Sequence, residues 1–135
     1  MENPIILYVE DDLQSREIMR VLVDEVMQGP KLTIFEDSQN FLERIIALTP
    51  RPDVVLLDIH MKPITGFEML KLLRGHELFK STPVVALTAS VMNEEVHQLK
   101  TAGFDGVLAK PLDMDAFPLV LQRILKGETV WHVMG

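Results

Sequence analysis

Four places in this chain set a reactive side chain at or just past the end of an apolar run. Asp58 closes Val54-Val55-Leu56-Leu57, and Glu10-Asp11-Asp12 follows Ile5-Ile6-Leu7-Tyr8-Val9. Thr88 closes Val84-Val85-Ala86-Leu87, and Lys110 comes shortly after the short run Asp105 to Leu108. Clustered carboxylates repel one another unless a cation joins them. Hard oxygen donors without cysteine or ligand-spaced histidine favour Mg²⁺ over zinc. A lysine supplies a point positive charge and a threonine a hydroxyl, a pair that suits a phosphoryl group better than a carbonyl. A carboxylate nucleophile in such surroundings forms an acyl phosphate. Taken alone, Asp58 is equally a solvated strand-end acid or a helix cap. The convergence of the four places favours chemistry.

That convergence depends on the elements in between. Each apolar run is short and rich in β-branched residues, as expected of strands buried on both faces. Leu13 to Met27 has helical periodicity, with Ile18, Leu22 and Val26 on one face, Met19 and Val23 on its flank, and Arg16, Glu17, Arg20 and Asp24 facing water. Lys31 to Phe35 reads as a strand. Asp37-Ser38 is an N-cap pair for a helix carrying Phe41, Leu42, Ile45, Ile46 and Leu48. Thr65-Gly66-Phe67-Glu68 has capping-box spacing and opens a helix that Gly75 stops. A fourth helix turns Met92, Val96 and Leu99 inward and ends at Gly103. A last one, carrying Phe117, Leu121, Ile124 and Leu125, is capped by Asp113 and starts late or distorted because of Pro118. Strict alternation of strand and helix implies right-handed crossovers onto one parallel sheet with helices on both faces. All strand carboxyl ends, with Glu10, Asp11, Asp58, Thr88 and Lys110, then share one edge, where open α/β sheets gather their chemistry.

A chain of 135 residues with 47% hydrophobic content is the size of one domain with a real core. The expected division is a domain over residues 1–126 and a C-terminal tail over 127–135, in which Trp131 folds back onto apolar surface. A net charge of −7 argues against nucleic acid or an anionic membrane as the main partner. The absence of cysteine removes disulfides, thiolate nucleophiles and cysteine metal clusters. Without a basic leader or an apolar stretch of membrane length, a cytoplasmic location is expected.

The pieces Val9-Glu10-Asp11-Asp12, Leu57-Asp58-Ile59-His60-Met61-Lys62-Pro63-Ile64-Thr65-Gly66, Leu87-Thr88-Ala89 and Ala109-Lys110-Pro111 occur in an order and spacing that resembles the response-regulator receiver domain of two-component signalling, from about Ile5 to Leu125. The resemblance implies a flavodoxin-like (βα)5 fold with strand order 2-1-3-4-5. It also implies that Asp58 accepts a phosphoryl group from a sensor histidine kinase or histidine phosphotransfer protein. Mg²⁺ would be held by Asp11, Asp58 and the backbone carbonyl of His60, with Glu10 acting through water and Asp12 capping the first helix. Thr88 and Lys110 would contact the phosphoryl oxygens, and the Lys110-Pro111 bond would be cis. Such a chain is not an enzyme on a separate substrate but assists its own phosphorylation and dephosphorylation, switching the binding of a downstream protein.

Two positions depart from that pattern, Val107 and, on the face the family commonly uses for output, Pro118. Family members usually carry Tyr or Phe three residues before the lysine, and here Val107 stands there. The rival readings are a pseudo-receiver scaffold that is never phosphorylated, for which only Val107 speaks, and a phosphatase with an aspartyl nucleophile. The second wants another acid two residues on, where His60 stands instead. The other histidines, His76, His97 and His132, have no ligand spacing and read as surface residues. Met92 and Met114 read as ordinary packing.

Overall fold

The computed structural model describes residues 3–131. Five strands, β1 (Ile5–Val9), β2 (Lys31–Phe35), β3 (Val54–Asp58), β4 (Val84–Thr88) and β5 (Gly106–Ala109), form one parallel sheet in the order β2-β1-β3-β4-β5. The register pairs Val9 with Phe35 and Leu57, Asp58 with Leu87, and Thr88 with Ala109, so the carboxyl ends lie level along one edge. Every residue of β3 and β4 is buried, as continuous apolar runs in a doubly covered sheet must be.

Two apolar clusters account for both covers. One joins Leu7, Val9, Val55 and Leu57 to residues of α2 (Phe41–Ile46), α3 (Gly66–Arg74) and α4 (Asn93–Ala102). The other joins Ile6, Tyr8, Val54 and Leu56 to α1 (Leu13–Val21) and α5 (Ala116–Leu125). Alternation along the strands thus sends successive side chains to opposite layers. Among the described residues, no helix is long and apolar enough to cross a membrane.

Several local expectations shift. After Val21 the first helix widens into a π-helical stretch, Leu22–Met27, closed by the Gln28 N–H to the Val23 carbonyl at 3.0 Å. The wider turn rotates the face, so Met19, Leu22 and Val23 are the buried residues while Val26 is 49% exposed. Ser38 does not cap α2. Its hydroxyl donates to the Ile64 carbonyl (2.7 Å) and accepts from the Ile64 N–H (2.9 Å), and the helix starts instead after Asn40 in the left-handed region. Met92 precedes α4 in extended conformation and is exposed, as is Met114, so neither packs inward. The strand expected from Asp105 begins one residue later, at Gly106, and the Asp105 carboxylate accepts from the Val84 N–H and Arg74.

Other expectations hold. Asp12 caps α1, Thr65 and Glu68 form the capping box of α3, and Gly75 and Gly103 end their helices. The last helix starts late, at Ala116. Asp113 accepts the N–H groups of Asp115 and Ala116, and Pro118 falls in the first turn, where no intrahelical donor is required. The Lys110-Pro111 bond is cis.

Beyond α5 the chain returns to the sheet. Val130 pairs in parallel with Gly106 at the free edge of β5, its N–H donating to the Asp105 carbonyl (3.1 Å) and its carbonyl accepting from Val107 (3.0 Å). Val130 joins the α1/α5 layer and Trp131 packs against the opposite one. His132 and the end of the tail lie outside the described residues.

Candidate functional site

Strand alternation explains why the acids meet. Tyr8 shares a face with Ile6, Asp58 follows Val54 and Leu56, and Lys110 follows Leu108, all on the α1/α5 side of the sheet. Glu10, two residues beyond Tyr8, continues the same parity. Its side chain is fully buried and that of Asp58 nearly so.

Lys110 Nζ lies between the two carboxylates, 2.7 Å from Glu10 Oε1 and 3.3 Å from Asp58 Oδ2. The other oxygen of Asp58 accepts the His60 N–H at 3.1 Å, while the His60 side chain faces solvent. Asp11 is exposed, yet one carboxylate oxygen from each of Glu10, Asp11 and Asp58 falls within 4.8 Å of the others. Three hard oxygen donors with no sulfur or imidazole beside them fit a cation such as Mg²⁺. Thr88 is buried at the end of β4, and its Oγ1 accepts the Ser90 N–H at 3.2 Å. Lys110 N–H donates to the Thr88 carbonyl (2.9 Å) and Ile59 N–H to the Leu87 carbonyl (3.2 Å), tying the strand ends together.

The electrostatics follow from this packing. Burial raises the Glu10 carboxyl above its ordinary range, and its hydrogen bonding with Asp58 adds to that, against the opposing pull of Lys110 and Tyr8. Burial by itself lowers the Lys110 ammonium, but its hydrogen bond to Glu10 and the charge of Asp58 outweigh this, and the net direction is up. Lys110 therefore stays charged. Asp12 is held below its ordinary value by the N–H and hydroxyl of Ser15, as a working N-cap should be.

Three residues matter here that the sequence pattern did not single out. Tyr8 hydroxyl donates to Glu10 Oε1 at 2.6 Å. The period-two relation between positions 8 and 10 was a usable signal, but a lone tyrosine in an apolar strand reads as core. Arg16, assigned to water, turns back so that Nη1 donates to the carbonyls of Asp11 (2.7 Å) and Glu10 (3.3 Å) and fixes the acidic loop. Gly66 sits where an added Cβ would lie 2.9 Å from Ile59 Cα and 3.0 Å from the Asp58 carbonyl, so only glycine lets α3 start this close to the end of β3.

A parallel sheet whose carboxyl edge carries acids, a threonine and a lysine defines a doubly wound α/β module with its candidate site at the strand ends, and likeness to known proteins gives its family. The model of the response regulator receiver domain matches residues 6–122, and the chain belongs to that family. It is 42% identical over 126 residues to the regulatory protein AtoC of Escherichia coli, and 34% identical over 121 residues to the sensor histidine kinase AruS of Pseudomonas aeruginosa. These alignments cover 93% and 88% of this chain but only 26% and 12% of those proteins, respectively. The chemotaxis response regulator CheY4 of Vibrio cholerae superposes with a TM-score of 0.80 at 27% identity, covering 90% of this chain and 98% of that one.

Proposed function

We propose that this chain receives a phosphoryl group on Asp58 from a phosphohistidine of a sensor histidine kinase or histidine phosphotransfer protein, and that the phosphorylated form binds a downstream protein. The observation that carries this reading is Lys110 Nζ lying between Glu10 and Asp58, with Asp11 completing a carboxylate triad open to solvent on one side.

A carboxylate oxygen of Asp58 attacks phosphorus, the phosphorus–nitrogen bond of the donor breaks, and its electron pair leaves on the imidazole. Bound Mg²⁺ would supply charge neutralisation for the incoming phosphoryl oxygens. Asp11, Asp58 and the His60 carbonyl would hold it, with Glu10 acting through water. Lys110, already 3.3 Å from Asp58, pairs with a phosphoryl oxygen once the acyl phosphate forms. Thr88 is buried at the neighbouring strand end and supplies a hydroxyl to the same group. The chemistry needs no second protein acid, which separates this reading from an aspartyl phosphatase.

The test is incubation with Mg²⁺ and a small acyl phosphate, followed by intact-mass measurement of wild type and Asp58→Asn. One phosphoryl adduct in wild type, absent from the variant and absent without Mg²⁺, is the expected result. No adduct in wild type would overturn the proposal in favour of an unphosphorylated scaffold.

A further inference from the structure

Tyr8 is the one aromatic residue of β1, fully buried, and its hydroxyl reaches the same Glu10 oxygen that Lys110 holds. Glu10 Oε1 thus has two donors, Tyr8 Oη at 2.6 Å and Lys110 Nζ at 2.7 Å, while Oε2 accepts the Asp12 N–H at 3.2 Å. Resting on the phosphoryl-acceptor reading above, we infer that Tyr8 is a positioning residue whose hydroxyl keeps Glu10 satisfied when Lys110 leaves it for the phosphoryl group on Asp58.

A carboxylate with no exposed surface loses heavily when a charged partner departs, unless another donor stays behind. In this site the partner that must move is Lys110, because it is shared between Glu10 and the acceptor. Tyr8 does not move with it, since its ring is fully buried in the apolar α1/α5 layer that also holds Met19, Leu22 and Phe117. Without the hydroxyl, Glu10 Oε1 would depend on Lys110 alone and would hold it back from the phosphoryl oxygens. The ordinary alternative is a buried tyrosine whose hydroxyl simply found the nearest acceptor. That alternative affects stability and leaves phosphoryl transfer unchanged.

The experiment compares the rate of adduct formation with a small acyl phosphate at saturating Mg²⁺ in wild type, Tyr8→Phe, Glu10→Gln and the double variant. Tyr8→Phe removes one oxygen and keeps the ring, so circular dichroism should show a wild-type fold. Its rate should fall about tenfold, the equivalent of one charged hydrogen bond in the barrier. In the Glu10→Gln background the neutral amide no longer restrains Lys110, and the same substitution should slow the reaction less than twofold. An unchanged rate in Tyr8→Phe, or an equal slowing in both backgrounds, would overturn the inference while leaving the acceptor role of Asp58 standing. Failure of wild type itself to form the adduct would remove both.

Discussion

The carboxyl groups at this site differ in role because their neighbours differ. Asp58 and Glu10 share one ammonium and are buried, whereas Asp12, one residue beyond the exposed Asp11, is spent on the first turn of α1. Its lowered pKa gives a directional prediction. A carboxylate whose folded value lies below its ordinary 3.8 contributes stability that is complete above 3.8 and lost as pH falls through the folded value. Asp12→Ala should therefore lower the urea midpoint at pH 7, and the difference from wild type should shrink when both are measured well below pH 3.8. A difference that grows in acid would contradict the capping role. Arg16 is a second residue-scale lesson. Helical periodicity assigned it to water, yet its side chain is only 12% exposed, because periodicity cannot show that a long side chain near the start of a helix folds back over the preceding loop.

Elements decide whether these residues stay in register. The loop from β3 to α3 is pinned by Gly66 against the backbone of Asp58 and Ile59 and by the two-way hydrogen bonding of Ser38 with Ile64. Gly66→Ala should cost about 1–3 kcal/mol in denaturant unfolding, because backbone atoms on the opposing side cannot give way. It should also slow adduct formation at Asp58. Stability equal to wild type would show that the close approach is not needed. At the other edge of the sheet, a Cβ on Gly106 would meet the Val130 carbonyl at 2.9 Å and Ile124 Cδ1 at 3.0 Å. Gly106→Ala should dislodge Val130 from β5 and move the emission of the single tryptophan, Trp131, to longer wavelength. Unchanged emission would mean the segment adjusts in place. The sequence showed five β-then-α units and most caps, because apolar runs, glycines and capping pairs are local signals. It did not show the π-helical widening, the recruitment of Ser38 or the return of Val130 to β5. The widening turns on a local i to i+5 hydrogen bond that side-chain periodicity does not register, while the other two depend on partners far along the chain, and a nonapeptide with no strand periodicity carries no mark of the edge it will cover.

At the scale of the molecule, one parallel sheet converts scattered residues into a site. Glu10, Asp58, Thr88 and Lys110 are separated by dozens of residues, yet level strand ends and even parity bring three of them into direct contact. That convergence was legible, since alternation of strand and helix allows little else. The exact sharing of Lys110 was not, because it depends on side-chain distances that only the folded core sets. The core also limits what can be altered. Leu57→Ala, at a fully buried position beside Asp58, should cost about 2–5 kcal/mol in chemical denaturation, and a loss under 1 kcal/mol would contradict the tight packing of β3. The central claim is that the carboxylate at position 58, and no other acid of the cluster, becomes the acyl phosphate. Borohydride reduction of the phosphorylated chain, followed by peptide sequencing in a mass spectrometer, tests it most directly. Homoserine at position 58 alone is the predicted result, and reduction at Glu10 or Asp11, or at no acid of the cluster, would contradict it.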